Sequence, residues 1–186
     1  GGHGTITNAP DKCTYGETFN MPNALSATGY TFGNWSVNGL TFDANDTVIP
    51  FFANSTIHAL AGNDTINGCG GNDTIYAGEG DDTLNGNNGN DYLNGGTGND
   101  YLNGGNGNDT YVYGRGYGND IIYDYDGVNK IVFENLDPSE LTVFYPSSSY
   151  DAILTITETG ETLTIRDFRY NQYHRNFTLE FKNEVV

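Results

Sequence analysis

The chain has 186 residues and a formal charge of −17, from 7 Lys and Arg against 24 Asp and Glu. That balance excludes attraction to nucleic acid or an anionic membrane surface through net charge, because both require a positive face; the expected partner is cationic. No apolar run approaches the roughly 20 residues of a membrane-spanning helix. Two cysteines, Cys13 and Cys69, exclude a disulfide framework or a four-cysteine zinc site while leaving one bridge open. Gly1 starts the chain without Met and no charged-then-apolar leader follows, which reads as a secretory leader removed or absent, or as a fragment.

The first stretch, TYGETFNMPNALSATGYTFGNWSVNG, carries Tyr15, Gly16, Phe19, Pro22, Gly29, Tyr30, Phe32 and Trp35. Through these residues it resembles the Listeria-Bacteroides repeat, a β-grasp-like module of bacterial surface proteins, although Asn34 stands where Gly is usual before the Trp. The resemblance implies an N-terminal β module over residues 1–49. Gly1 to Thr5 then match the turn after the module's first strand, so an open sheet edge is expected beside Tyr30, Phe32 and Trp35. Such edges are templates for strand addition. Either the missing strand belongs to a longer surface protein, or the C-terminal FTLEFKNEVV of a second copy fills the gap, which would make a head-to-tail homopolymer.

From Ala59 to Val112 the sequence repeats every nine residues: ALAGNDTIN, GCGGNDTIY, AGEGDDTLN, GNNGNDYLN, GGTGNDYLN, GGNGNDTYV. Position six is always Asp (Asp64, Asp73, Asp82, Asp91, Asp100, Asp109), and position four is always Gly (Gly62, Gly71, Gly80, Gly89, Gly98, Gly107). Position eight is apolar or aromatic, from Ile66 to Tyr111. A looser copy with Gly116, Gly118 and Asp120 follows after two extra residues. Upstream, Asp46 and Val48 are in phase, although Asp46-Thr47-Val48 also fits the last strand of the N-terminal module. Ser55 stands in between where Asp is due.

The repeat has a direct physical reading. Gly and Asn tolerate positive φ, so the first six positions make a turn and the last three a short strand with one inward side chain. Two nonamers close a coil of 18 residues, and coils stack at the spacing of paired strands, about 4.8 Å. Asp64, Asp82 and Asp100 form one column; Asp73, Asp91 and Asp109 form the other. Carboxylates about 5 Å apart repel by roughly 0.7–0.8 kcal/mol even in bulk water, so the columns call for a hard cation. Calcium takes 6–8 oxygens at about 2.3–2.6 Å and accepts carboxylates and carbonyls in flexible geometry, whereas magnesium demands a tight octahedron. Pairs Asp64/Asp82, Asp82/Asp100, Asp73/Asp91 and Asp91/Asp109 are the expected core sites, with Asp100/Asp120 and Asp46/Asp64 as extras and carbonyls of Gly70, Gly78, Gly86, Gly95 and Gly104 as further ligands.

These nonamers resemble the hemolysin-type RTX calcium-binding repeat, G-G-x-G-x-D-x-U-x. The resemblance implies a right-handed parallel β-roll, calcium between the turns, and export by a type I secretion machine as an unfolded chain. Ala59 and Ala77 depart at position one, and Leu60, Cys69 and Asn87 at position two. Residues 113–186 resemble the family's C-terminal flank.

After about Gly127 the pattern alternates in IVF, LTVFY, AILTIT, ETLTIRDF and FTLEF, which predicts antiparallel hairpins capping the roll, with Phe133, Phe144, Phe168, Phe177 and Phe181 covering its open end. Asp124, Asp126 and Glu134 read as the end of the metal column rather than as catalytic acids. His3, His58 and His174 lack ligand spacing, the N-x-S/T sequons fall mostly in N-D-T steps that the repeat itself generates, and no H-E-x-x-H, G-x-S-x-G or G-K-[ST] motif occurs.

The expected protein is all-β: an N-terminal module (1–49), a calcium-binding β-roll (50–126) and a C-terminal antiparallel β cap (127–186). It is read as a non-enzymatic, secreted or cell-surface bacterial segment, structural or adhesive, with calcium as partner and without nucleic-acid binding or membrane insertion. Two rivals are the non-catalytic tail of a larger secreted hydrolase and a carbohydrate-binding module using Tyr92, Tyr101, Tyr113, Tyr117 and Tyr125.

Overall fold

A computed structural model describes residues 47–48, 54–170 and 176–182. Residues 1–46 of the N-terminal module, with its open edge, Asp46, His3 and Cys13, lie outside the described residues, as do His174 and the last four residues. What is described is all-β apart from one 3-10 turn, Pro138–Glu140, and none of it is a helix long and apolar enough to cross a membrane.

Two sheets face each other, fed alternately by the chain. The eight-stranded sheet runs β1 (Thr47–Val48), β3 (Thr65–Asn67), β5 (Thr83–Asn88), β7 (Tyr101–Asn106), β9 (Asp120–Ile122), β13 (Thr162–Ile165), β12 (Ala152–Ile156) and β11 (Leu141–Phe144). The six-stranded sheet runs β2 (Thr56–Ala61), β4 (Thr74–Glu79), β6 (Tyr92–Thr97), β8 (Thr110–Gly114), β10 (Asn129–Glu134) and β14 (Phe177–Lys182). Pairing within the roll is parallel at a fixed offset, as in Thr65↔Thr83↔Tyr101 and Thr56↔Thr74↔Tyr92. Thr47 pairs with Thr65 in the same way, which places β1 in the nonamer register.

Position eight supplies the core. Ile57, Ile66, Ile75, Leu84, Leu93, Leu102, Tyr111, Ile122 and Ile131 are all buried in one cluster between the sheets. Positions seven and nine point outward, so each strand buries one side chain in two.

The strands are longer than the expected three residues, reaching six in β4 to β7. Positions one to three also stack in register, for example Gly78↔Gly96 and Glu79↔Thr97. The turn is bonded from coil to coil as well, through Gly62 N–H to Glu79 O and Gly80 N–H to Thr97 O, both 2.8 Å. Identical coils place every peptide group opposite its own copy, so the ladder has no reason to stop at position nine.

Position four shows why its glycine never changes. Gly62, Gly71, Gly80, Gly89, Gly98 and Gly107 have φ of 118–139°, beyond the left-handed region near +57° that other residues visit. Position two tolerates both: its glycines Gly78, Gly96 and Gly105 have φ of 97–120°, while Leu60, Cys69 and Asn87 adopt φ of 70–77° there. Cys69 is disulfide-bonded.

The C-terminal third departs from a purely antiparallel cap. Antiparallel pairing holds for β11 with β12 and β12 with β13, but β13 joins β9 in parallel and β14 joins β10 in parallel. The six-stranded sheet passes through Gly127 without a break, since β10 pairs with β8 as Lys130↔Thr110. At the C-terminal end of the roll both sheets are continued, one by β14 and the other by the β13-β12-β11 hairpins. Phe133 is buried and Phe168, Phe177 and Phe181 pack against the core, whereas Phe144 is exposed. Its strand, β11, is the last of its sheet among the described residues.

Candidate metal centre

The six nonamer aspartates, with Asp120, are all buried at 1–2 % exposure. They stand in the two columns expected from the period. In the first, Asp64 N–H donates to Asp82 Oδ1 (2.7 Å), Asp82 N–H to Asp100 Oδ1 (2.8 Å) and Asp100 N–H to Asp120 Oδ1 (3.0 Å). In the second, Ser55 N–H donates to Asp73 Oδ1, Asp73 N–H to Asp91 Oδ1, Asp91 N–H to Asp109 Oδ1 and Asp109 N–H to Asn129 Oδ1, all 2.8 Å. Asp120 therefore belongs to the column despite the two-residue insertion before it. Ser55 and Asn129 hold column places that a search for Asp overlooks; for Asn129 the signal was Gly127 two residues earlier, at position four.

In six of these carboxylates one oxygen is satisfied and the other is not. Oδ2 of Asp73, Asp82, Asp91, Asp100, Asp109 and Asp120 is buried without a hydrogen-bond donor. Burial raises these acids, only partly offset by the bond from the neighbouring coil's N–H. Asp73, Asp82 and Asp91 are pushed up to about 6, Asp100 and Asp109 to about 7, and Asp120 to about 8. A charged carboxylate in such a place demands a cation.

At Asp73, Asp91, Asp100 and Asp109 the donor-less oxygen faces the glycine at position one of its own turn. A Cβ added to Gly68 would stand within 3.0 Å of both Asp73 Oδ2 and the Gly86 carbonyl oxygen. A Cβ on Gly86 would meet Asp91 Oδ2 and the Gly104 carbonyl in the same way, and one on Gly95 would meet Asp100 Oδ2. Each of the first two spaces is thus flanked by a carboxylate oxygen and a carbonyl oxygen from the next coil, the donor types that calcium takes. At Asp64 and Asp82 the corresponding residues are Ala59 and Ala77, whose methyl groups replace the glycine hydrogen.

The carbonyls of Gly86 and Gly104 are therefore brought to the columns. Gly78 instead directs its carbonyl at Gly96, and the position-four glycines direct theirs at one another, as Gly62 to Gly80 and Gly80 to Gly98. Among the described residues no three His, Cys, Asp or Glu side chains converge on one point, so a metal here must also draw on other oxygens, such as backbone carbonyls.

A second ladder escaped the sequence reading. Position five is Asn63, Asn72, Asp81, Asn90, Asn99 and Asn108. Its side-chain oxygens accept N–H bonds from the next coil, as Asp81 N–H to Asn63 Oδ1 (3.0 Å) and Asn99 N–H to Asp81 Oδ1 (2.8 Å). The unbroken Asn/Asp run at nine-residue spacing was the signal.

A model of the RTX calcium-binding nonapeptide repeat (4 copies) matches residues 53–84 and 85–118. Residues 53–118 are RTX calcium-binding nonapeptide repeats. The match begins just before Ser55, in agreement with its place in the second column. No curated protein matches the chain. Among solved structures it is similar to the AlgE6R3 subunit of the Azotobacter vinelandii mannuronan C5-epimerase, at 23 % identity and TM-score 0.45 over 77 % of this chain and 81 % of that one. It is also similar to the extracellular lipase LipA of Serratia marcescens, at 17 % identity and TM-score 0.35 over 84 % of this chain and 41 % of that one.

Beyond the RTX columns, His58 stacks on Tyr76 with ring centroids 4.7 Å apart. Of the tyrosines expected to be exposed for sugars, Tyr113 is buried at 1 % and donates its hydroxyl to Gly118 O. It lies inward because β8 runs into the end of the roll, where Phe133 and Tyr117 pack edge-on against it.

Proposed function

We propose that this chain is a secreted, non-catalytic structural segment that folds when calcium fills its two aspartate columns. The observation that carries the reading is the row of buried Oδ2 atoms without donors, four of which, on Asp73, Asp91, Asp100 and Asp109, face the position-one glycine of their turn. Position eight contributes one large apolar side chain per nine residues, thin burial against the backbone entropy of so glycine-rich a chain. Calcium binding supplies the difference by linkage. Affinity belongs in the extracellular range, roughly 10⁻⁴–10⁻³ M, so the chain stays unfolded where calcium is scarce and folds outside the cell. The test is circular dichroism of the metal-free chain during calcium titration, with the metal content measured alongside. A β spectrum that needs calcium, with at least three ions bound, supports the reading; a full β spectrum in excess chelator, or fewer ions, sinks it.

Homopolymer formation and sugar binding are narrower versions of the same role. The proposed donor strand FTLEFK is already β14, paired with β10 of its own chain, so polymerisation would use the outer edge of β14. Electron microscopy in calcium tests this, and isolated monomers at high concentration reject it. For sugars, Tyr125 is exposed and Tyr92, Tyr101 and Tyr117 are half-buried; a glycan array in calcium tests them.

A further inference from the structure

The last turn of the second column breaks the nonamer rule twice. Position six, which should be Asp, is Asn129, and position one, which should be Gly, is Asp124. Both are buried, at 3 % and 2 %. The carboxylate has moved five residues along the turn, so this rung still holds two: Asp109 from the column and Asp124 from position one. The earlier rungs Asp73/Asp91 and Asp91/Asp109 also hold two each.

The geometry at this rung differs from those before it. A Cβ on Gly104 would stand within 3.0 Å of Asp109 Oδ2 and of the Tyr111 hydroxyl oxygen, so the phenol stands where the next coil's carbonyl stands beside Gly68 and Gly86. Tyr111 donates its hydroxyl to Asp124 Oδ2 at 2.5 Å and accepts the Gly104 N–H at 2.7 Å. Asp124 Oδ1 accepts the Asp126 N–H at 3.1 Å. Tyr111 has one proton and spends it on Asp124. Asp109 Oδ2, in a residue 1 % exposed, receives no donor. Asn129 donates from its amide to Asp126 O at 3.0 Å and also bonds the Asp124 side chain.

We propose that Asp109, Asp124 and the Tyr111 oxygen form a terminal calcium site that the nonamer pattern does not encode. The inference rests on the calcium-binding reading of the roll and adds one site to it. A cation beside Gly104 meets Asp109 Oδ2, the phenol oxygen and, with a small turn of its side chain, Asp124 Oδ2: two negative charges and a neutral oxygen, all acceptable to a hard cation. The site closes the column, because Asn129 brings no second charge to carry it further. It also makes Asp109 a two-sided residue like Asp91, so Asp109→Ala costs as much folding as Asp91→Ala.

The test counts calcium bound to the purified chain and to Asp124→Asn, which retains an acceptor for the Tyr111 hydroxyl. Loss of one equivalent with an unchanged β spectrum in calcium is expected; an unchanged count overturns the site and leaves Tyr111–Asp124 as a plug. Terbium replaces calcium in a second measurement that does not need that variant to fold. Tyrosine-sensitised terbium emission should fall in Tyr111→Phe by more than in Tyr125→Phe, and equal emission from the two overturns the site. A wild-type chain that binds no calcium at all would instead sink the function proposed above, and this site with it.

Discussion

Asp73 donates its backbone N–H to Asp91 Oδ1 at 2.8 Å, so the carboxylate of one coil caps the peptide group of the coil before it. The bond requires an oxygen at position six but not a charge. Asn129 makes the same contact to Asp109 N–H and sends its amide to a carbonyl. The column is therefore built from an acceptor that any Asx supplies and a second oxygen that only Asp supplies.

Asp91→Asn separates these two roles. It keeps the acceptor for Asp73 N–H and removes the donor-less Oδ2, whose burial unpaired costs on the order of 1–3 kcal/mol. The metal-free chain should become more stable by about that amount, while calcium capacity falls. Urea melts with and without calcium measure both; a variant weakened equally in the two conditions would contradict this division.

Gly86 is confined by space rather than by its dihedral angles. Its φ is not positive, yet an added Cβ would stand within 3.0 Å of Asp91 Oδ2 and the Gly104 carbonyl. Gly86→Ala should cost roughly 1–3 kcal/mol by overpacking and move the midpoint of calcium-induced folding to higher calcium. An unshifted midpoint would show that the space beside Gly86 is not used by the ion.

Positions two and four call for opposite substitutions. Leu60 is partly exposed and held at φ 77°, a conformation that costs an L-residue roughly 1–2 kcal/mol and glycine little. Leu60→Gly should therefore stabilise the calcium-loaded fold by about 1 kcal/mol. Gly98, at φ 139° and placed so that an added Cβ would stand 2.0 Å from the Gly80 carbonyl oxygen, should not tolerate Ala, which we expect to cost about 3 kcal/mol or more. Chemical denaturation in saturating calcium measures both, and a destabilised Leu60→Gly would refute the strain argument.

Whatever repeats in the fold is legible in the sequence. Fixed spacing makes each coil a copy of the last, so the inward residues from Ile66 to Tyr111 and the columns from Asp64 to Asp109 follow from counting. Counting failed where identity changed but geometry did not. Ser55 and Asn129 still place a side chain or N–H in the column, and Asp124 carries its charge at another position of the turn. Nothing local announces that β13 pairs with β9, or β14 with β10, because those contacts join segments distant in the chain and continue both sheets at the C-terminal end of the roll. Position five is the opposite case: its Asn/Asp run was visible, but reading it as turn propensity alone hid the coil-to-coil bonds.

Acid should partly replace calcium. Burial raises Asp73, Asp82 and Asp91 to about 6, Asp100 and Asp109 to about 7, and Asp120 to about 8 in the folded chain, against about 3.9 for an Asp in an unfolded one. Between these values the folded state binds more protons than the unfolded state, so the stability of the metal-free fold falls as pH rises. The contribution is fully present below about pH 4 and is lost progressively as pH climbs through 6 to 8. Calcium runs the other way, because it needs the carboxylates ionised and its affinity drops with acid. Demetallated protein titrated from pH 8 towards pH 4 should gain β structure by circular dichroism, while the calcium concentration at half-folding rises over the same interval. A metal-free chain whose β content stays flat or increases towards pH 8 would show that the buried aspartates do not control folding.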